Sequence, residues 1–235
     1  RRYVHLATGN YHSRTARTYT DFGLFTCDKD IGDDVHKVFQ QLTGLGRAIK
    51  LRKLLQSPFT LFKTLRERVA REAANAKQGK PARIIAKMNA LSEPQMIEAL
   101  YEASCAGVKI DLIVRGVCCL RPGVPGVSEN IQVRSVVGRF LEHSRVFYFH
   151  NDGNPTVYCS SADWMTRNLF RRVEVCFPVE DKRLAARLLN EGLQPYLADN
   201  SQTWLLRSDG TYRRIKAGGH KPRSAQQFLL QTLAD

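Results

Sequence analysis

Apolar positions along this chain recur with two spacings, and each switch between them marks the edge of an element. Residues 1 to 26 read as strand, polar loop and strand. From Asp30 the spacing of Val35, Val38, Phe39 and Leu42 predicts a helix, which Gly44 and Gly46 stop. Lys50, Arg52 and Lys53 then lead to Ser57-Pro58, which reads as a helix N-cap with proline at the first helical position. Leu61, Phe62, Leu65, Val69 and Ala73 line one face of that helix as far as Gly79. Beyond it strands and helices alternate. ARIIAKMNAL (82–91) reads as a strand, Ser92-Glu93-Pro94 caps a helix through Ala106, Gly107 ends it, and VKIDLIV (108–114) is a second buried strand. A loop rich in Gly and Pro precedes strand IQVRSVV, a short helical GRFLE and strand SRVFYF. Asn151-Asp152-Gly153-Asn154 turns the chain into strand TVYCSS. RVEVCFPV is a further strand, DKRLAARLLNEGLQPYL an amphipathic helix, TWLLR and TYRRIK a hairpin about Ser208-Asp209-Gly210, and RSAQQFLLQTLA a last helix. This order predicts an α/β sandwich on a mixed sheet, with a domain boundary near residue 53.

One stretch breaks the pattern. SSADWMTRNLFRRVEV (160–175) lies between strand-like runs yet carries Asp163, Arg167, Arg171, Arg172 and Glu174. It has a counterpart in TGNYHSRTARTYTDFGLF (8–25): laying Asn10 on Asp163 puts Tyr11 on Trp164, Arg14 on Arg167 and Asp21 on Glu174. A small–polar–aromatic group, an arginine and a carboxylate opening an apolar strand, twice at one interval, read as a duplicated supersecondary unit.

Composition narrows the use of such a unit. With 235 residues the chain fills one large or two modest domains, and no run of 18 apolar residues marks a membrane span. It opens on Arg1-Arg2-Tyr3-Val4-His5-Leu6 without methionine, entering a strand at once, which reads as a piece of something longer. The six cysteines lack paired metal-ligand spacing and sit mostly in apolar runs, so buried free thiols in a reducing compartment are expected and a zinc site is not. A net charge of +14 and pI ≈ 9.8 point to a polyanionic partner.

In α/β sheets function gathers where strands give way to loops. Polar residues stand at four such points: Lys87 with Asn89, Arg115, His143 with Arg145, and the 160–175 stretch. Alternation puts His143 and Arg145 on one face of a strand, a histidine and a guanidinium suited to phosphate. In sequence order they are followed by Ser161, Asp163 and Glu174. That order resembles the HKD motif of the phospholipase D superfamily, with Arg145 in place of the motif lysine and His150 in place of the motif aspartate. With YVHLATGNYHSRTARTYTDFGLFT, LIVRGVCCLRPG, RFLEHSRVFYF and VYCSSADWMTRN, the chain resembles the C-terminal half of the long-chain-forming, phosphohistidine-type polyphosphate kinases along nearly its whole length.

The resemblance implies a phospholipase D-like mixed sheet flanked by helices, with residues 1–53 the tail of a first catalytic domain and 54–235 a complete second copy. It implies reversible transfer of the ATP γ-phosphoryl to polyphosphate, with Mg²⁺, through a phosphohistidine upstream of this chain; the chain alone is then inactive. His5, His12 and His36 fall outside the motif position. By motif, Tyr19 would stack on adenine, Arg115 would contact nucleotide phosphates, and His143 would be the second-half histidine, as proton donor or charge stabiliser. Asn10, Asp21, Lys87, Asn89, Arg145, Ser161, Asp163, Arg167, Arg172 and Glu174 would line the cleft, with Arg172 chosen over Arg171 because it shares strand parity with Glu174. The partners implied are ATP or ADP and inorganic polyphosphate, without specific nucleic acid, in a homo-oligomeric full-length enzyme. Its place would be the cytoplasm, peripherally at the inner face of a bacterial membrane. A phospholipase D-like phosphodiesterase or nuclease, or a non-catalytic polyanion-binding module, would use the same basic cleft.

Overall fold

A computed structural model describes residues 1–44 and 50–233. In chain order the elements are β1 (Val4–Ala7), β2 (Tyr19–Thr20), β3 (Gly23–Thr26), α1 (Lys29–Leu42), β4 (Leu55–Ser57), α2 (Leu61–Lys77), β5 (Arg83–Met88), α3 (Pro94–Cys105), β6 (Lys109–Val114), β7 (Ile131–Val136), β8 (Leu141–Glu142), β9 (Arg145–Phe149), β10 (Thr156–Ser160), α4 (Thr166–Phe170), β11 (Glu174–Pro178), α5 (Lys182–Arg187), α6 (Gln194–Ala198), β12 (Thr203–Leu206), β13 (Tyr212–Arg214) and α7 (Ala225–Leu233).

Nine strands form one mixed sheet in the order β13-β12-β7-β6-β5-β9-β10-β11-β4, parallel only across β5, β6 and β7. Alternation along the central strands divides the apolar residues between two cores. Ile84, Ala86 and Met88 of β5 face Leu61, Leu65 and Val69 of α2 and Met96 and Leu100 of α3. Ile85 of the same strand faces the other way, with Ile113 and Val146, toward Leu188, Leu193, Tyr196 and Ala225, and with Leu6 and Ile31 from the N-terminal segment. Each fully buried Leu or Ile contributes about 1.5–3 kcal/mol, so both layers are needed to hold the sheet. The strand parity of β5 therefore decides where Lys87 goes: onto the second face, beneath α6, α7 and the N-terminal segment.

Local predictions differ from the structure at several points. Ser57-Pro58 does not cap a helix; Ser57 ends the edge strand β4, where its hydroxyl donates to the Asn168 carbonyl, and α2 starts after Thr60. Within Ser92-Glu93-Pro94 it is Glu93 that caps α3, as its side chain accepts from the Gln95 amide. GRFLE is not helical: Leu141 and Glu142 pair in parallel with Tyr19 and Thr20, clasping the N-terminal segment to the large sheet. The 181–197 helix is broken by a wide π-turn over Leu188–Leu193, where a Cβ on Gly192 would lie 3.1 Å from the Phe22 ring. Gly44, at φ +74, ends α1, while Gly46 lies outside the described residues. Asp34 of α1 is fully buried and accepts hydrogen bonds from the amides of Arg52, Lys53 and Leu54 at 2.7–3.0 Å. Of the six thiols only Cys159 and Cys176 are buried; Cys105, the last residue of α3, and Cys119, in the loop after β6, are exposed. Among the described residues no helix is long and apolar enough to cross a membrane.

Candidate functional site

The two segments matched in the sequence fold alike. β1 pairs antiparallel with β3 so that Ala7 faces Gly23, and β10 pairs with β11 so that Ser160 faces Cys176, which is the same register at the offset that lays Asn10 on Asp163. The hydrogen bonds correspond as well. Thr8 donates its amide to Phe22 O and its hydroxyl to Asp21; Ser161 donates its amide to Val175 O and its hydroxyl to Glu174. In return the Phe22 amide donates to the Thr8 hydroxyl, and the Val175 amide to that of Ser161. A hydroxyl one residue past the strand and a carboxylate at or just before the start of the next one therefore close each loop. The loops between them differ: Trp164 is fully buried while Tyr11 is exposed, and Asp163 is buried while Asn10 is exposed.

His143 stands where the two segments meet. It lies in the link between β8 and β9, not in the strand, and its amide donates to the Thr20 hydroxyl at 3.3 Å. Its Nδ1 is 3.0 Å from Asp21 Oδ1, and the Tyr19 ring centroid is 4.9 Å from its own. A proton on Nδ1 satisfies the Asp21 carboxylate and leaves the Nε2 lone pair toward Arg145 Nη1, 2.9 Å away. Arg145 is held from all sides. Its Nε and Nη2 form a two-pronged pair with Asp163 at 3.1 and 2.8 Å, and Nη1 donates to the Thr8 carbonyl. Asp163 also accepts from the amides of Asn89 and Ala90, so both buried charges are paired and hydrogen-bonded. Arg145 is thus no free cation on a cleft wall but the strut that joins Asp163, Thr8 and His143.

Behind the histidine lies a second buried pair. Lys87 Nζ is 2.7 Å from Glu142 Oε2, donates to Ser144 Oγ at 2.9 Å, and sits 3.5 Å above the Tyr196 ring. Glu142 also accepts from Thr20 Oγ1 and Gln226 Nε2. Burial raises the Glu142 carboxyl, but the Lys87 charge and these donors outweigh it and hold its pKa below the ordinary value. Burial lowers the Lys87 pKa, against the opposing pull of Glu142. Lys87 is 1% exposed and does not line an open cleft, contrary to its prediction, because β5 parity turns it inward.

The remaining predicted residues divide. Tyr19 and Asp21 line a pocket of about 310 Å³ with Phe140, Ser144, Tyr196 and Leu229. Asn89 and Arg115 sit half-buried and side by side at the ends of β5 and β6, with Gly116 N donating to Asn89 O at 2.8 Å. Arg115 makes no side-chain hydrogen bond or salt bridge among the described residues, which leaves its guanidinium available. Ser161 and Glu174 bond each other, and Glu174 accepts from Asn168 Nδ2. Asn10, Arg167 and Arg172 are exposed and stand apart from the buried cluster. The strand-parity ground for Arg172 fails, since it occupies the turn after α4 and β11 begins only at Glu174. Glu142 and Gln226 were missed; Glu142 adjoins the histidine and was legible as a polar residue in an apolar run, whereas nothing in α7 marks Gln226. No group of three or more His, Cys, Asp or Glu among the described residues is placed to hold a metal ion.

A family profile described as polyphosphate kinase C-terminal domain 2 matches residues 54–226, and one described as polyphosphate kinase C-terminal domain 1 matches residues 1–48. A polyphosphate kinase of Burkholderia ambifaria (strain MC40-6) is 64% identical over 230 residues, covering 98% of this chain and 33% of that protein. One from Paraburkholderia phytofirmans is 63% identical over the same length. The crystal structure of polyphosphate kinase from Porphyromonas gingivalis matches with a TM-score of 0.94 and 39% identity, covering 99% of this chain and 36% of that one. The chain spans about a third of the length of the curated relatives it matches.

Proposed function

The chain belongs to the polyphosphate kinase family, and we propose that it supplies one side of a catalytic centre that moves the γ-phosphoryl of ATP to polyphosphate and back. In this reading residues 1–53 complete a first phospholipase D-like domain and residues 54–235 form the second, the two facing each other across the His143 site. The observation that carries it is the His143–Asp21 bond, which joins a histidine of one segment to the carboxylate of the other.

Each side chain then has a task. Asp21 holds the His143 proton at Nδ1, and Nε2, which faces Arg145 Nη1 at 2.9 Å in this structure, exchanges that contact for a proton and a phosphate oxygen when the nucleotide binds. With a proton at both nitrogens the ring is a cation that stabilises charge on the departing diphosphate, the larger part of phosphoryl-transfer catalysis being positioning and electrostatics. Arg115 grips phosphate oxygens through two parallel N–H donors, and Tyr19 offers its ring to the base. Glu174 occupies in its copy the place Asp21 holds in the other. By that correspondence it backs a histidine of the first domain, and that histidine, upstream of this chain, carries the phosphoryl group. Mg²⁺, when present, adds charge neutralisation on the phosphates; no residue of this chain is assigned to it.

Two measurements test the reading. His143→Ala in a full-length enzyme containing this chain is expected to lower kcat by about 10²-fold or more, with a smaller change in the KM for ATP and an unchanged melting temperature. Loss of activity in step with loss of stability would instead make His143 structural. The 235-residue chain incubated with γ-labelled ATP is expected to retain no label, and stable label on it would overturn the upstream assignment.

A further inference from the structure

Between Arg207 and Arg223 the chain carries six Lys or Arg, one His and a single acid, Asp209. Some surface cations elsewhere stand against carboxylates: Arg52 with Asp30, Lys53 with Asp28 and Glu180, Arg187 with Glu191. In the β12–β13 hairpin and the loop after it, no salt bridge among the described residues includes any of the six. Asp209 accepts from Thr211 N and Oγ1, and Arg214 donates to the Ser201 carbonyl. All six cations are exposed. The segment is nonetheless pinned: Arg223 O accepts from Asn200 N and Ser201 Oγ, Asn200 Oδ1 from Arg223 N, and Lys221 O from Asn200 Nδ2. Unpaired like charges on a fixed scaffold repel one another, and a bound polyanion reverses that cost.

Their place relative to the site follows from strand register. Met88 pairs with Val114, Val136 pairs with Thr203, and Ile215 N donates to Thr203 O at 2.9 Å, while Ser135 Oγ donates to Arg115 O. Arg214 and Lys216, flanking Ile215, therefore lie at the same end of the sheet as Arg115 and His143. From β9 to β13 the distance is five strand spacings, roughly 24 Å. The hairpin's two aromatic side chains, Trp204 and Tyr212, share a face with Leu206, which packs on the core. Trp204 and Tyr212 nonetheless remain 37% and 39% exposed, and Arg214 pairs with Trp204 on that face, so single-stranded nucleic acid is the competing occupant that the test must separate from polyphosphate.

We propose that this basic hairpin and loop form a second holding site for the polyphosphate chain, remote from His143 and engaged only by chains long enough to reach it. The inference rests on polyphosphate being the substrate. It is tested on the 235-residue chain by fluorescence anisotropy at fixed ionic strength, with labelled tripolyphosphate and labelled long-chain polyphosphate. Lys216→Glu/Lys221→Glu is compared with Lys182→Glu/Arg183→Glu on α5, which makes the same charge change at exposed positions. Expected is a loss of about tenfold for the long chain in the hairpin pair and less than about twofold in the α5 pair, with tripolyphosphate unaffected by either. Equal losses in the two pairs, or none in the hairpin pair, overturn the second site while leaving the substrate reading intact. A hairpin that holds single-stranded RNA of equal charge more tightly than polyphosphate overturns it in favour of nucleic acid. Failure of the unaltered chain to bind long polyphosphate removes the substrate reading itself.

Discussion

Glu142→Gln is the most informative single change in this fold. The amide keeps the size of the side chain and one acceptor but removes its charge, leaving the Lys87 ammonium 1% exposed with no counter-ion. Removing one partner of a buried, hydrogen-bonded pair costs about 3–5 kcal/mol, and Lys87→Met, which strands the carboxylate instead, belongs on the same scale. Because both losses arise from one interaction, the double variant Lys87→Met/Glu142→Gln is expected to be more stable than the sum of the two by about 2 kcal/mol or more. Urea unfolding measures all four proteins, with an unchanged slope showing that the unfolded state is comparable. The pH dependence gives an independent readout. Glu142 has a folded pKa below its ordinary 4.5. Its contribution is therefore complete above that value and lost as pH falls through the lower folded one. Glu142→Gln is expected to flatten this acid limb. Additive losses within about 0.5 kcal/mol, or an acid limb as steep as in the unaltered chain, would refute the pairing as the source of the stability.

Arg145→Lys retains the charge but gives up the two-pronged contact with Asp163 and the bond to Thr8 O, and is expected to destabilise the chain by about 1.5–3 kcal/mol in the same unfolding assay. An unfolding free energy within about 0.5 kcal/mol of the unaltered chain would mean that the fork geometry is immaterial. Burial pushes the Cys159 thiol up to about 12 and Cys118 up to about 11, while Cys105 and Cys119 are exposed. A thiol reagent at neutral pH is therefore expected to modify Cys105 and Cys119 first and to spare Cys159 and Cys176 until the chain unfolds. Fast labelling of Cys176 by peptide mapping would contradict the packing of β11.

Much of this protein was legible along the chain. Strands β5, β6, β7, β9, β10 and β11, with helices α1, α2 and α3, follow the hydrophobic periods, since a face that must be dry selects apolar residues at the spacing of its own geometry. The correspondence of Asn10 with Asp163 and Asp21 with Glu174 was visible too, and the matched registers and hydroxyl–carboxylate bonds give it a structural basis. What failed were short pieces whose partners lie far away in sequence. Leu141–Glu142 is a strand only because Tyr19–Thr20 lies beside it, and Ser57 is a strand residue only because Glu174 does. Two residues have no period to read.

The same holds at the site. Sequence alone determined which residue types gather at strand ends: a histidine, a lysine, four arginines and several acids, with an excess of positive charge around them. Only tertiary structure decided how those charges divide. Arg145 and Lys87 are occupied by Asp163 and Glu142, Arg115 has no side-chain hydrogen bond or salt bridge among the described residues, and Arg167 and Arg172 lie on the surface. The physical reason is that the cost of a charge depends on its desolvation and on the distance to its counter-charge, and both are set by segments that only the fold brings together, as it does Asp21 and His143.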